Sequence, residues 1–351
     1  MIFFFSVISV VIFLNGGNMK RTTISHFSLL IAMAILLAFP GIASAGGKKE
    51  PPAPSYPPAP EWGPHLIPEM VLVPGGTFRM GSNDNMDIDA KPVHTVTLDG
   101  FYMSKNLITQ EQYHAVVGFN PSLFQGGLDK PRQYAQSYNM RYELPEGVTS
   151  GDKLPVENLT WFDVLEFCNK LSALEGLTPV YEIANRKPAE GYPINNVDVT
   201  VDWSANGYRM PTEAEWEYAA KGGDGMGPYF IYAGSNDPEA VAWYANLAKT
   251  AEGLTTSASA YVPHPVGLKA PNALGIYDLS GNVYEWCWDW FGEYPAAAQT
   301  NPKGPPDGDN RVRRGGCPNR MGESIIRVAF RDSYSPIYIN GQTGFRVVRN
   351  K

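Results

Sequence analysis

Tyr208-Arg209-Met210-Pro211-Thr212-Glu213-Ala214-Glu215-Trp216-Glu217-Tyr218-Ala219 joins the end of an extended run to the start of a helix. Pro211 closes the extended run, and Thr212 is a helix N-cap residue with Glu215 three positions on, the spacing of a capping box. Trp216 and Ala220 are four apart and share the buried face of that helix. Gly222-Gly223 ends it, so a helix is expected over Thr212–Lys221.

The same signals recur twice. Thr109 opens a helical stretch to Val117 with Glu111 two residues on. Thr160 or Asp163 can cap a longer one to Leu174, in which Trp161, Val164, Leu165, Cys168 and Leu171 form one apolar stripe. Elsewhere short β-type runs at Met70–Val73, Val93–Leu98 and Arg346–Val348 lie between Gly, Pro, Asn and Asp clusters. The last should pair in a central sheet and tie the two ends of the domain together. This pattern describes an α+β domain, loop-rich, with small antiparallel sheets and two or three helices.

Of 351 residues, 44% are hydrophobic and 18% charged, which suits a packed core rather than a disordered chain. The formal net charge of −7 gives no basic face, so nucleic acid is not an expected partner. Near the N-terminus, Lys20-Arg21, the apolar run Phe27 to Phe39 and Ala43-Ser44-Ala45 have the layout of a cleaved signal peptide over residues 1–45, with Met19 as an alternative start. That apolar run is shorter than the ~20 residues a membrane span needs. Residues 46–67 are Pro-rich and read as an extended tether, with the folded domain over 68–351. The expected location is therefore periplasmic or cell-surface, with the membrane involved only through export or tethering.

Several stretches in order resemble the formylglycine-generating enzyme (sulfatase-modifying factor) family. They are Met70 to Ser82, Lys91 to Val96, Leu154-Pro155-Val156-Glu157-Asn158-Leu159-Thr160-Trp161, the opening segment, Gly281-Asn282-Val283-Tyr284-Glu285-Trp286, Arg314-Gly315-Gly316 and Gly344-Phe345-Arg346. The resemblance runs from about residue 68 to 349 and implies that family's large variant of the C-type lectin fold.

The enzymes of that family carry two copper-binding cysteines after the Gly-Gly motif, and a soft Cu(I) ion wants thiolates. Here Pro318 to Ile326 holds no cysteine, and Cys317 matches a position before the pair. Copper is not expected, and neither is catalysis. An iron-dependent branch of the family uses clustered histidines, whereas His65, His94, His114 and His264 are scattered here. Cys168 reads as a buried small hydrophobe, and nothing in the spacing favours a Cys287–Cys317 bridge. The resemblance also implies a calcium held by Asp278, Glu285 and the carbonyls of Gly281 and Val283. The same residues read equally as a hydrogen-bonded acidic turn without metal.

Some proteins of this fold are variable proteins of diversity-generating retroelements, treponemal ones among them, with an Arg-Val-Ala-x-Arg frame, a Pro and a closing Gly-Phe-Arg. This chain has Arg327-Val328-Ala329-Phe330-Arg331, Pro336 and Gly344-Phe345-Arg346. Between them, Gly341 and the nine residues Phe330, Asp332, Ser333, Tyr334, Ser335, Ile337, Tyr338, Ile339 and Asn340 are each reachable from an Asn codon by changing adenines alone. With Asn319 and Arg320, those nine make the candidate binding set. Tyr supplies rigid amphipathic area, and Ser and Asn adaptable hydrogen bonds. Ile325, Ile337 and Ile339 are either an exposed apolar patch or packing beneath it. The expectation is an exported, non-catalytic binding protein whose surface lies in residues 317–343 and whose ligand is an extracellular protein or glycan. Two other readings stand beside it: an oxidase or other enzyme using Cys317, and a structural envelope protein without a ligand.

Overall fold

A computed structural model describes residues 61–137, 151, 153–223, 229–245, 262–318 and 322–351. The expected signal segment and most of the expected tether lie outside these residues. Packing begins earlier than Pro68. Leu66 is buried and Trp62 donates its indole N–H to Glu175, because both side chains are too apolar to leave in a solvated tether.

The strands are β1 (Met70–Val73), β2 (Gly76–Met80), β3 (His94–Leu98), β4 (Phe101–Ser104), β5 (Tyr181–Lys187), β6 (Asn196–Val201), β7 (Tyr284–Trp290), β8 (Gln299–Thr300), β9 (Arg311–Arg314), β10 (Asp332–Tyr334), β11 (Thr343–Gly344) and β12 (Val348–Asn350). They form a sheet of order β1-β4-β12, a sheet of order β10-β9-β7-β11, a sheet of order β2-β3-β8 and the hairpin β5-β6. Pairing is antiparallel except where the two-residue strands β8 and β11 add in parallel. The terminal strand falls two residues later than expected. Arg346 turns inward to Glu285 instead of joining the ladder, and Val348 pairs with Met103. Strand β4 thus lies between the first and last strands, as expected of a domain closed on its own ends.

The helices are α1 (Gln110–Val117), α2 (Asp129–Ser137), α3 (Trp161–Leu174), α4 (Glu213–Ala220) and the single turn α5 (Pro238–Val241). The three expected helices each begin on a threonine in a reciprocal capping box: Thr109 with Gln112, Thr160 with Asp163 and Thr212 with Glu215. Helix α2 has no apolar stripe, so periodicity gave no sign of it.

Helix α4 differs most from expectation. All eight of its residues are buried, including three glutamates. Glu215 is held by Arg209 at 2.7 Å, Glu213 by Arg331 at 2.6 Å, and Glu217 by Arg314 and by Lys221, the latter at 2.7 Å. Three carboxylates buried on one helix need counter-charges, and Arg314 and Arg331 come from about 100 residues away. One core surrounds α4, with Phe78, Met103, Trp216 and Val312 in it. A second surrounds α3, with Phe167, Leu171, Trp286 and Phe345.

Candidate functional site

Strand β9 is the platform for the C-terminal stretch. Its four residues are buried and their side chains alternate between faces. Val312 and Arg314 point to the α4 core. Arg311 and Arg313 point the other way, each into a nest of aromatic rings. Arg311 lies 3.7 Å from the Trp161 ring and 3.4 Å from that of Trp290, and burial pulls its pKa down to about 9. Arg313 lies 4.4 Å from the Tyr284 ring and 4.3 Å from that of Tyr334. Its guanidinium donates to Asp332 at 2.5 Å and to the Thr343 hydroxyl at 2.6 Å. Tyr334 in turn stacks on Tyr338, with centroids 4.1 Å apart.

The loop after β10 is held by its backbone. The Pro336 carbonyl accepts from Trp161 N–H at 3.0 Å, and the Asn340 carbonyl from Asn158 N–H at 2.9 Å. Tyr338 N–H closes a turn onto the Ser335 carbonyl at 2.9 Å. With the backbone satisfied in this way, side chains project outward: Tyr334 is 41% exposed, Ile337 52% and Ile339 40%. Ser333, Ser335, Tyr338 and Asn340 are half-buried. Asp332 serves Arg313, and Phe330 packs against the cluster of Cys317, Ile325 and Ile326. Ile325 is therefore the packing beneath, and Ile337 and Ile339 are the exposed pair. Asn319 and Arg320 lie outside the described residues.

The frame arginines are internal struts. Arg327 reaches Asp84 at 2.7 Å and Asp87 at 3.0 Å on the β2–β3 loop. Arg331 forks Glu213 and donates to the carbonyls of Asp89 and Gly292 at 2.8 and 2.9 Å. Arg314 donates to the carbonyls of Ala329 and Phe330 from below. Sequence reasoning missed Arg313 and Thr343. The Arg-Val-Arg-Arg run hinted at the first, and nothing marked the second.

All three cysteines are buried and outside any disulfide, with no Cys287–Cys317 bridge. Burial pushes the Cys168 and Cys287 thiols well above their ordinary range. A cavity of 220 Å³ lined by His94, Glu213, Asp289, Tyr294 and Arg331 contains none of the candidate binding residues.

In the acidic turn, Glu285 is forked by Arg346 at 2.5 and 3.0 Å. Asp278 is buried with a left-handed φ of 58° and accepts from Gly267 N–H at 2.8 Å and the Asn282 amide at 3.3 Å. Among the described residues no salt bridge reaches Asp278, and burial raises its pKa. A hard cation beside Asp278 would relieve that cost and suits its oxygens. Glu285 already has its counter-charge.

The sulfatase-modifying factor enzyme 1-like domain matches residues 58–351. The chain is 34% identical to the chaperone protein LppX of Paenibacillus barcinonensis, over 81% of this chain and 90% of that one. It is 32% identical to the formylglycine-generating enzyme of Thermomonospora curvata, over 79% and 92%. Among solved structures, Treponema denticola variable protein 1 aligns with a TM-score of 0.65 and 32% identity, over 80% of this chain and 95% of that one.

Proposed function

The chain belongs to the sulfatase-modifying factor enzyme 1-like family, which includes the formylglycine-generating enzymes, and within that family we propose that it is an exported, non-catalytic binding protein presenting residues 317–343 as its ligand surface. Its fold is the loop-rich C-type lectin-like fold of that family. The observation that carries the proposal is the Tyr334–Tyr338 stack on Arg313, flanked by exposed Ile337 and Ile339 on a loop whose backbone is already bonded. Rigid aromatic area beside adaptable Ser and Asn is the chemistry of a paratope. The likeness to a variable protein supports the same reading. Export rests on the Lys20-Arg21, Phe27 to Phe39 and Ala43-Ser44-Ala45 pattern, which points to the periplasm or cell surface.

The likeness to formylglycine-generating enzymes favours a second reading, an oxidase using Cys317. Against it, Pro318 to Ile326 supplies no second thiol and Cys317 is buried among apolar side chains. The test is to load the purified chain with Cu(I) and offer it a cysteine-containing peptide under oxygen. The peptide should emerge with its thiol intact. Stoichiometric copper binding with conversion of the thiol to an aldehyde, lost in Cys317→Ser, would establish the oxidase instead.

Calcium, where bound, is a structural staple at Asp278, with Gly281, Val283 and Glu285 completing the turn. The expected result is a melting temperature that rises with added calcium and falls with chelator, and an Asp278→Asn variant that no longer responds. A native chain indifferent to calcium would leave the turn as a metal-free hydrogen-bonded one.

A further inference from the structure

We infer that the binding surface continues from the C-terminal stretch onto the loop at residues 120–124, with Leu123 as a fixed apolar contact, and that its partner is a protein presenting an uncharged apolar segment. This rests on reading residues 317–343 as the ligand surface.

Glu157 and Asn158 hold the two loops side by side. The Glu157 carboxylate, fully buried, accepts from Leu123 N–H at 3.0 Å and from Phe124 N–H at 2.9 Å. The Asn158 side chain donates to the Pro121 carbonyl at 2.9 Å, and its backbone N–H donates to the Asn340 carbonyl at 2.9 Å. Leu123 and Phe124 also pack close against the backbone of Gly341. A methyl group at Gly341 would stand 2.9 Å from the Phe124 ring and 3.2 Å from Leu123 Cδ1.

Two adjacent residues on this loop behave differently. Phe124 is buried, whereas Leu123 is 52% exposed although its backbone is anchored in the interior. A single exposed leucine is ordinary. This one lies against Gly341, on the loop that carries Ile337, 52% exposed, and Ile339, 40% exposed.

The charge on this face points to the partner class. Ser333 to Gly341 contains no charged residue. Arg313 and Asp332, which flank the stretch, are bonded to each other at 2.5 Å. Leu123, Ile337 and Ile339 offer burial and dispersion, which an apolar protein segment returns more fully than a sugar does. An uncharged patch rewards an uncharged, apolar protein segment.

The test uses the purified chain and two probes, random peptides displayed on phage and an array of glycans. Peptides recovered on the native chain should be rich in aliphatic and aromatic residues. They should bind Leu123→Asp, and the milder Leu123→Ser, about tenfold or more weakly. Ile88→Asp, altering a residue 74% exposed on the β2–β3 loop, should bind them as the native chain does. Melting temperatures establish that each variant is folded. Native binding by both Leu123 variants would overturn the inference. If Tyr334→Ala/Tyr338→Ala then still lost binding, the C-terminal surface would stand and only its extension would fall. If that variant also bound normally, the surface itself would fall. Glycan binding with no recovered peptide would overturn the partner class.

Discussion

Arg313 shows how a residue outside the candidate set can decide the set's geometry. Its planar fork meets Asp332 and Thr343 at once while its face lies against Tyr284 and Tyr334. A lysine would keep the charge but neither the fork nor the flat stacking surface. Arg313→Lys should therefore cost about 1–2 kcal/mol in stability. It should also reduce the tyrosine signal in near-UV circular dichroism, because the Tyr334–Tyr338 stack loses its base. An unchanged spectrum would show that the stack stands without Arg313. The sequence made Tyr334, Ser335, Ile337 and Tyr338 legible as a binding composition. It could not show Arg313 as their support, because Asp332 and Thr343 reach it from two other strands. The ambiguity over the isoleucines likewise needed the fold, which puts Ile325 at 0% exposure beside Cys317 and leaves Ile337 and Ile339 outside.

At the scale of elements, α4 and its neighbours are built on buried charge. Asp289 of β7 accepts from Glu213 N–H at 2.8 Å, and burial pushes its pKa up to about 7. Glu157 is pushed to about 7 and Asp163 to about 6 by the same cause. Each carboxyl holds its proton more tightly folded than unfolded, where the value is about 4. Its contribution is fully present below the unfolded value and is lost as pH rises through the folded one. Asp289→Asn keeps the acceptor for Glu213 N–H and removes the ionisation. It should melt above the native chain at about pH 8, and that advantage should shrink by about pH 5. Parallel melting curves across that range would mean that Asp289 ionises freely. The three helix starts were legible because capping is local, with the reciprocal box itself read only at Thr212. The burial of Glu213, Glu215 and Glu217 was not, since it depends on Arg331, Arg209 and Arg314 arriving from distant sequence. The shift of the last strand to Val348–Asn350 has the same origin in the Arg346–Glu285 pair.

Across the whole molecule, framework and surface use different atoms. The frame arginines are committed to the β2–β3 loop and α4, and the outer loop is held through the Pro336 and Asn340 carbonyls. Tyr334, Ile337 and Ile339 contribute little to that network and remain available to a ligand. Substitutions among them should move the melting temperature by no more than about 3 °C. The account is tested most directly by adhesion of the purified chain to cells and to extracellular matrix, with Tyr334→Ala/Tyr338→Ala compared to the native chain at matched melting temperature. The prediction is a loss of adhesion of about tenfold or more. Adhesion that is unchanged in the doubly substituted chain would contradict it and leave a structural envelope protein as the better description.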